Sequence, residues 1–131
     1  MNRNSIAVAT AFALTAFPAL AQKYPSKPIR IVVPYAPGGP TDILARAVGQ
    51  SMNEVWGQPV IIDNKPGNSG NLGTAQVAKS PADGYTLASV GISYSVAPAL
   101  DAKLGYDPVK DLTPIALMAS VNNLLVVHPS L

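Results

Sequence analysis

IRIVVPYAPGGPTDILARAVGQ, residues 29–50, is the stretch from which the rest of the chain can be read. Residues 29–33 are a short, apolar, β-branched run stopped by Pro34, the pattern of a buried strand. Tyr35, Ala36, Pro37, Gly38, Gly39 and Pro40 neither continue a strand nor start a helix cleanly, and their glycines and prolines make a sharp, stiff turn. From Thr41 the period changes, and Leu44, Ala47, Val48, Ser51, Met52 and Val55 fall on one helical face. Strand, glycine turn and helix in this order aim free backbone N–H groups at one point, an arrangement that favours an anion. A small carboxylate is the expected occupant.

The chain has 131 residues, enough for about one domain. Residues 1–21 read as a secretory signal peptide. Arg3 is their only charge, residues 6–17 are almost wholly apolar, and Ala19-Leu20-Ala21 is a small-x-small cleavage site. Cleavage is expected after Ala21, leaving an exported mature chain. The alternative, a membrane anchor, needs about 20 apolar residues, and the stretch before Gln22 is shorter. There is no cysteine, so neither a lipid attachment site nor a disulfide is available, and an exported domain of this kind is held by its core. Nine basic against seven acidic residues, with no basic run, do not suit a nucleic-acid binder. With 48% hydrophobic and 12% charged residues, the composition is that of a well-buried α/β domain and not of a disordered segment.

Outward from the opening unit, residues 22–28 form a polar arm that leads into the first strand. The helix starts with Thr41 as cap or with Pro40 at its first position; both suit the pattern. It ends near Trp56 with Gly57 as a left-handed cap. Residues 59–63 predict a second strand, 64–71 a second glycine-rich turn, and 72–79 a short helix. Residues 80–84 are a tight turn and 85–90 a third strand. Residues 91–94 predict a third polar turn and 95–100 a short helix, followed by a loop with one helical turn at 108–112. Residues 114–120 and 124–128 are two further apolar runs. Strands alternating with helices predict a mostly parallel sheet with flanking helices and right-handed crossovers. In such sheets the ligand crevice lies beyond the carboxyl ends of the strands, so the three turns should open on one edge.

The ordered blocks YPSKPIRIVVPYAPGGPTDILAR, GQPVIIDNKPGNSGNLGTAQVAKSPADGYTL and YDPVKDLTPIALMASVNNLLVVHPSL resemble the Bug-type periplasmic solute receptors of tripartite tricarboxylate transporters, in register and without gaps. The resemblance implies a two-lobed, venus-flytrap (type II) periplasmic binding protein that delivers a small carboxylate to the membrane subunits of its transporter. Its ligands would be di- or tricarboxylates, aromatic acids or acidic amino acids. It implies backbone amides and ordered waters around the ligand carboxylate, and no cofactor or metal. Carried over residue by residue, it places Tyr35, Pro37, Gly38, Gly39, Thr41 and Asp42 in the first loop. Gly67, Asn68, Gly70, Asn71 and Gly73 follow in the second, with Ser93 and Tyr94 as candidates in the third. Pro40 departs from the commoner small residue and removes one N–H; Asn122 and His128 stand where proline and asparagine are usual. Members carry a second lobe of comparable size. The expectation here is therefore a truncated product: an incomplete first lobe over 22–120 and a crossover segment over 121–131.

Duller roles stand beside these. Gly38 and Gly39 suit a plain turn, Asp42 a helix cap or a ligand amine or hydroxyl contact, and Asn68 and Asn71 simple turns. Tyr35 suits wall packing or cleft lining, Trp56 the core, and His128 a structural position. An enzyme is disfavoured. Gly67-x-x-Gly70-x-x-Gly73 is not the dinucleotide fingerprint, and neither a phosphate-binding G-K-[ST] nor a nucleophile elbow occurs. One histidine without cysteine also argues against a triad or a zinc site. A non-binding remnant of a receptor, and more remotely an exported hydrolase, are the alternatives to a solute receptor.

Overall fold

A computed structural model describes residues 23–101, 103–122 and 124–130. The expected signal peptide and its cleavage site lie outside the described residues. The elements alternate: β1 (Ile29–Val33), α1 (Pro40–Trp56), β2 (Val60–Asn64), α2 (Asn71–Ala78), β3 (Thr86–Ala88) and α3 (Ile92–Leu100), with a 3-10 turn at Asn68–Gly70 just before α2. The sheet has the order β2-β1-β3 and both pairings are parallel. Ile31 stands opposite Ile62 on one side and Leu87 on the other. This is the expected α/β architecture, and the central strand is the one read first.

β1 is central because it is apolar on both faces: Ile29, Val32 and Val33 are fully buried. Burying each such side chain is worth about 1.5–3 kcal/mol. α1 covers one face, but not with the residues expected. Asp42, Ala45 and Gly49 are its buried positions; Leu44 and Val48 are half-buried, and Ala47, Ser51 and Val55 are exposed. The helix is rotated because its small residues permit close approach. A Cβ on Gly49 would stand 3.1 Å from Ile62 Cδ1 and 3.2 Å from Val60 Cγ1. Pro40 occupies the first helical position behind Gly39, which resolves the start of α1. Gly57 ends it as expected, at φ 64°, with its N–H donated to the Asn53 carbonyl.

Trp56 is not in the core. It is 41% exposed and meets the edge of Tyr24 at a centroid distance of 6.0 Å. The polar arm before β1 is tied to the turn before β3: Tyr24 Oη donates to the Gly84 carbonyl (2.7 Å) and Ser26 N–H to Tyr85 Oη (2.9 Å). α3 begins directly after Gly91, so the expected third turn is shorter than predicted and Ser93 and Tyr94 lie in the first helical turn. Beyond α3, a turn at 108–110 closes with Asp111 N–H on the Asp107 carbonyl (2.9 Å). Residues 112–122 and 124–128 carry no helix or strand, and Ile115, Leu124 and Leu125 are exposed. His128 is exposed and pairs with Ser130, so its role is not in a core. Among the described residues no helix is long and apolar enough to cross a membrane.

Candidate functional site

The three segments that follow β1, β2 and β3 meet at one edge of the sheet, and Tyr35 joins them. Its carbonyl accepts from Asn64 Nδ2 (3.2 Å), at the end of β2. Its hydroxyl accepts from Gly91 N–H (3.0 Å) and is bound to Ser93 Oγ (2.6 Å), beyond β3. Its ring occupies the space that a side chain at Gly70 would need, 3.0 Å from Cε1. Continuing ladder bonds hold both outer segments to the central strand: Lys65 N–H to Val33 O (2.8 Å) and Ser89 N–H to Val32 O (2.9 Å).

Each segment then enters a helix in the same way. The residue before α1 is Gly39, before α2 Gly70 and before α3 Gly91, and none supplies a side-chain cap. A helix start normally has a Ser, Thr, Asp or Asn oxygen over its first N–H groups. Here three helix starts on one edge lack such a cap, each carrying about half a unit of positive partial charge; at α2 the loop's own carbonyls of Asn68 and Gly67 take the Asn71 and Leu72 N–H groups.

The first loop is held by Asp42, which is only 2% exposed. Its Oδ2 accepts from Arg46 Nε and from Gly38 N–H, both at 2.9 Å, and its Oδ1 from Asn64 Nδ2 at 2.9 Å. The Arg46 hydrogen bond, then the Gly38 amide and the Asn64 amide, hold the carboxyl well below the usual carboxylate range. Asp42 is thus occupied in fixing the loop, and neither of the roles expected for it describes it fully. Asn64 and Arg46, also bound to each other (3.1 Å), were not singled out from sequence. The Arg46 contact is an i,i+4 pair within α1, whereas the Asn64 contacts form only once β2 lies beside β1. Gly38 takes φ 82°, whereas Gly39 takes φ −75°, so of the two only Gly38 is required by backbone conformation. Pro37 is exposed on this loop. The Gly39 amide and, in the first turn of α1, the Thr41 amide remain without acceptors among the described residues.

The second loop runs through four consecutive positive φ values: Gly67 at 146°, Asn68 at 46°, Ser69 at 53° and Gly70 at 97°. Two non-glycine residues in this region are strained, and such strain is maintained where surrounding structure over-determines it. Gly70 and Asn71 N–H are spent within the loop, on the Gly67 and Asn68 carbonyls. The amides of Asn68 and Ser69 remain unpaired among the described residues. Asn71 is buried and its Oδ1 accepts from Tyr106 Oη (3.3 Å). Gly73 serves packing: a Cβ there would lie 2.8 Å from the Lys65 carbonyl and 2.9 Å from Pro34 Cβ. Tyr94 stacks on Tyr106 (6.5 Å) and donates to the Pro108 carbonyl, so it belongs to the next loop and not to the cluster around Tyr35. Burial pushes its phenol up, with Asp107 adding to the shift. Ser89, at the end of β3, is 2% exposed and its Oγ has no partner among the described residues.

A concavity of about 450 Å³ lies elsewhere. It lies between Asn64, Lys65, Leu72, Gln76 and Lys79, and none of the expected contact residues lines it. At the edge described above the chemistry lies in directed N–H groups. Among the described residues no group of histidines, cysteines or carboxylates could hold a metal ion.

Comparison with known proteins shows which family the chain resembles. The family model described as the tripartite tricarboxylate transporter family receptor matches residues 44–131. Protein BugT of Bordetella pertussis is 38% identical over 128 residues, a match covering 96% of this chain and 39% of BugT. MatC of Rhodopseudomonas palustris, solved with bound malate, superposes with a TM-score of 0.62 at 39% identity, over 72% of this chain and 33% of that one. An R. palustris protein solved with adipate gives 0.61 at 41% identity, over 65% and 29%. The chain therefore spans about two fifths of the length of BugT.

Proposed function

The chain belongs to the tripartite tricarboxylate transporter receptor family, and on that premise we propose that it forms the carboxylate-holding edge of an extracytoplasmic solute receptor. Its relatives and structural neighbours are solute-binding proteins and not enzymes. The observation that carries the reading is the meeting of three helix starts, each opened by a glycine and each without a side-chain cap, around Tyr35. Backbone donors fixed before the ligand arrives lose no side-chain entropy on binding. They neutralise a carboxylate without a lysine or arginine, and they suit a dicarboxylate such as the malate and adipate held by its neighbours. The receptor would work in the periplasm after loss of residues 1–21, and hand its ligand to the membrane subunits of a tripartite transporter.

The probe is calorimetric titration with malate and with adipate, on the parent and on Gly39→Ala. Gly39 sits at φ −75° and a Cβ there would meet only the Ala36 carbonyl at 3.5 Å, so the fold accepts the methyl group. The methyl stands where the carboxylate approaches. Loss of a hydrogen bond to a charged group costs about 1.5–3 kcal/mol, or roughly tenfold to a hundredfold in affinity. Unchanged affinity in Gly39→Ala would remove the first loop from the site.

A further inference from the structure

β2 is an edge strand, and its outer side is unused. Its register against β1 sets Ile29 opposite Val60, Ile31 opposite Ile62 and Val33 opposite Asn64. Ile29 N–H donates to the Pro59 carbonyl and Lys65 N–H to the Val33 carbonyl. In a parallel pair this turns the main-chain groups of Ile61 and Asp63 toward β1 and those of Val60, Ile62 and Asn64 outward. The outward N–H groups have no acceptor among the described residues. A free edge of this kind is a template for another strand. Both sides of it are hollowed. On one side is the concavity of about 450 Å³ between Lys65 of the strand end and Leu72 of α2. On the other is a hollow of about 290 Å³ between Val60 and Ile62 of the strand and Gly49 and Asn53 of α1. Successive side chains of an added strand point to opposite faces, so each hollow would take every second one.

A matching element lies in the same chain. Residues 124–128 are a five-residue apolar run, as long as β2, and carry neither helix nor strand. Leu124, Leu125, Val126 and Val127 are between 61% and 95% exposed. With Ile115, Leu117, Met118 and Val121 they make eight exposed large apolar side chains on this tail. Burying each removes roughly 60–120 Å² of apolar surface, so the eight offer about 500–1,000 Å². That exceeds the usual apolar patch of a monomer and reaches the ~800 Å² per partner of a stable complex. Within one chain the two features stay apart, since Ile61 on β2 is itself 53% exposed. We propose that residues 124–128 of a second copy add to the outer edge of β2, and that the exchange is reciprocal. Each copy then supplies one run and one edge, so the two-fold pair is closed and leaves no edge to propagate. The surface lies beside the strands and not at their carboxyl ends, so it stands independently of the carboxylate reading.

The test uses the chain purified from the periplasm, by sedimentation velocity over a concentration series and by amide hydrogen exchange. The parent sediments as a dimer. Its Ile62 amide exchanges as slowly as those of Ile61 and Asp63, which already lie inside the ladder with β1. Leu125→Lys combined with Val127→Lys changes the run without touching the folded body. It raises the dissociation constant about a hundredfold or more and speeds exchange at Ile62 alone of the three. Ile61→Lys, at an exposed position of the edge, does the same from the other side of the contact. A monomeric parent overturns the proposal. Fast exchange at Ile62 then means that the edge is bare, and slow exchange that the chain's own run covers it. A dimer that survives the double lysine variant overturns the run as the docking element. One that survives Ile61→Lys but not the double variant overturns the edge, because the runs then pair with each other. Open-ended assembly beyond the dimer overturns reciprocal exchange.

Discussion

Two glycines inside helices carry opposite expectations, and comparing their alanine variants tests how the second loop is held. Gly73 is the third residue of α2 and Gly49 lies in the middle of α1. On propensity alone each Gly→Ala gains up to about 1 kcal/mol. The neighbours decide the sign. At Gly73 the new Cβ would stand 2.8 Å from the Lys65 carbonyl oxygen, 2.9 Å from Pro34 Cβ and 3.1 Å from Pro34 Cα. That is roughly 0.6 Å short of the ~3.5 Å at which carbon contacts become favourable. A proline and a main-chain carbonyl offer no rotamer to move aside, so α2 must shift away from the end of β1. Overpacking of this kind costs about 1–3 kcal/mol, which outweighs the propensity gain and leaves Gly73→Ala destabilised by up to about 2 kcal/mol. At Gly49 the contacts at 3.1 and 3.2 Å are the tips of Ile62 and Val60. They can rotate at about 0.5–1.5 kcal/mol, so Gly49→Ala should be close to neutral. The assay is urea unfolding followed by circular dichroism, with the slope checked for constancy. A midpoint raised by Gly73→Ala, equal to or above that of Gly49→Ala, would refute the packing role.

Other outcomes follow from the same geometry. Gly38→Ala should lower stability by about 1–2 kcal/mol, because φ 82° is left-handed, whereas Gly39→Ala at φ −75° should unfold like the parent in urea. Asp42 has a folded pKa below its ordinary 3.8, so its contribution is complete above that value and is lost as pH falls through the folded pKa. Asp42→Asn should reduce the loss of thermal midpoint below about pH 4 without abolishing it. Asp83, lowered by Lys27, and Asp107, lowered by the Val109 amide, act in the same direction. Periplasmic material should begin at Gln22 on N-terminal sequencing, and an intact Met1 would count against cleavage after Ala21.

The sequence made β1, the reach of α1 and its Gly57 cap legible because each is punctuated: a β-branched run, a stop at Pro34, a glycine at a helix end. The rotation of α1 was not legible. An apolar-face count puts Val55 inward and Asp42 outward, but Asp42 is brought inside by a Gly38 amide, Arg46 and Asn64, and the last of these reaches it from β2, beyond anything helical periodicity encodes. The start of α3 was read three residues late because polar Ser93 and Tyr94 look like loop, while a single glycine suffices to turn the chain from β3. Trp56, expected in the core, is the last residue of α1 and lies over the arm instead. At the site, the glycine spacing located the edge, but the capping question was invisible. Only in the folded chain do Gly39, Gly70 and Gly91 precede helices with no side chain over them. The left-handed passage through Asn68 and Ser69 was equally hidden, since Asn68 reads as an ordinary turn residue.

The central claim, that a carboxylate is held by open helix starts at one sheet edge, is met most directly by titrating the isotope-labelled chain with malate and mapping backbone amide shifts. The account predicts saturable shifts at Gly39, Thr41, Asn68, Ser69, Ile92 and Ser93, with Gly57 and Val96 unmoved. Shifts gathered instead around Lys65 and Lys79, at the concavity beside α2, would contradict it.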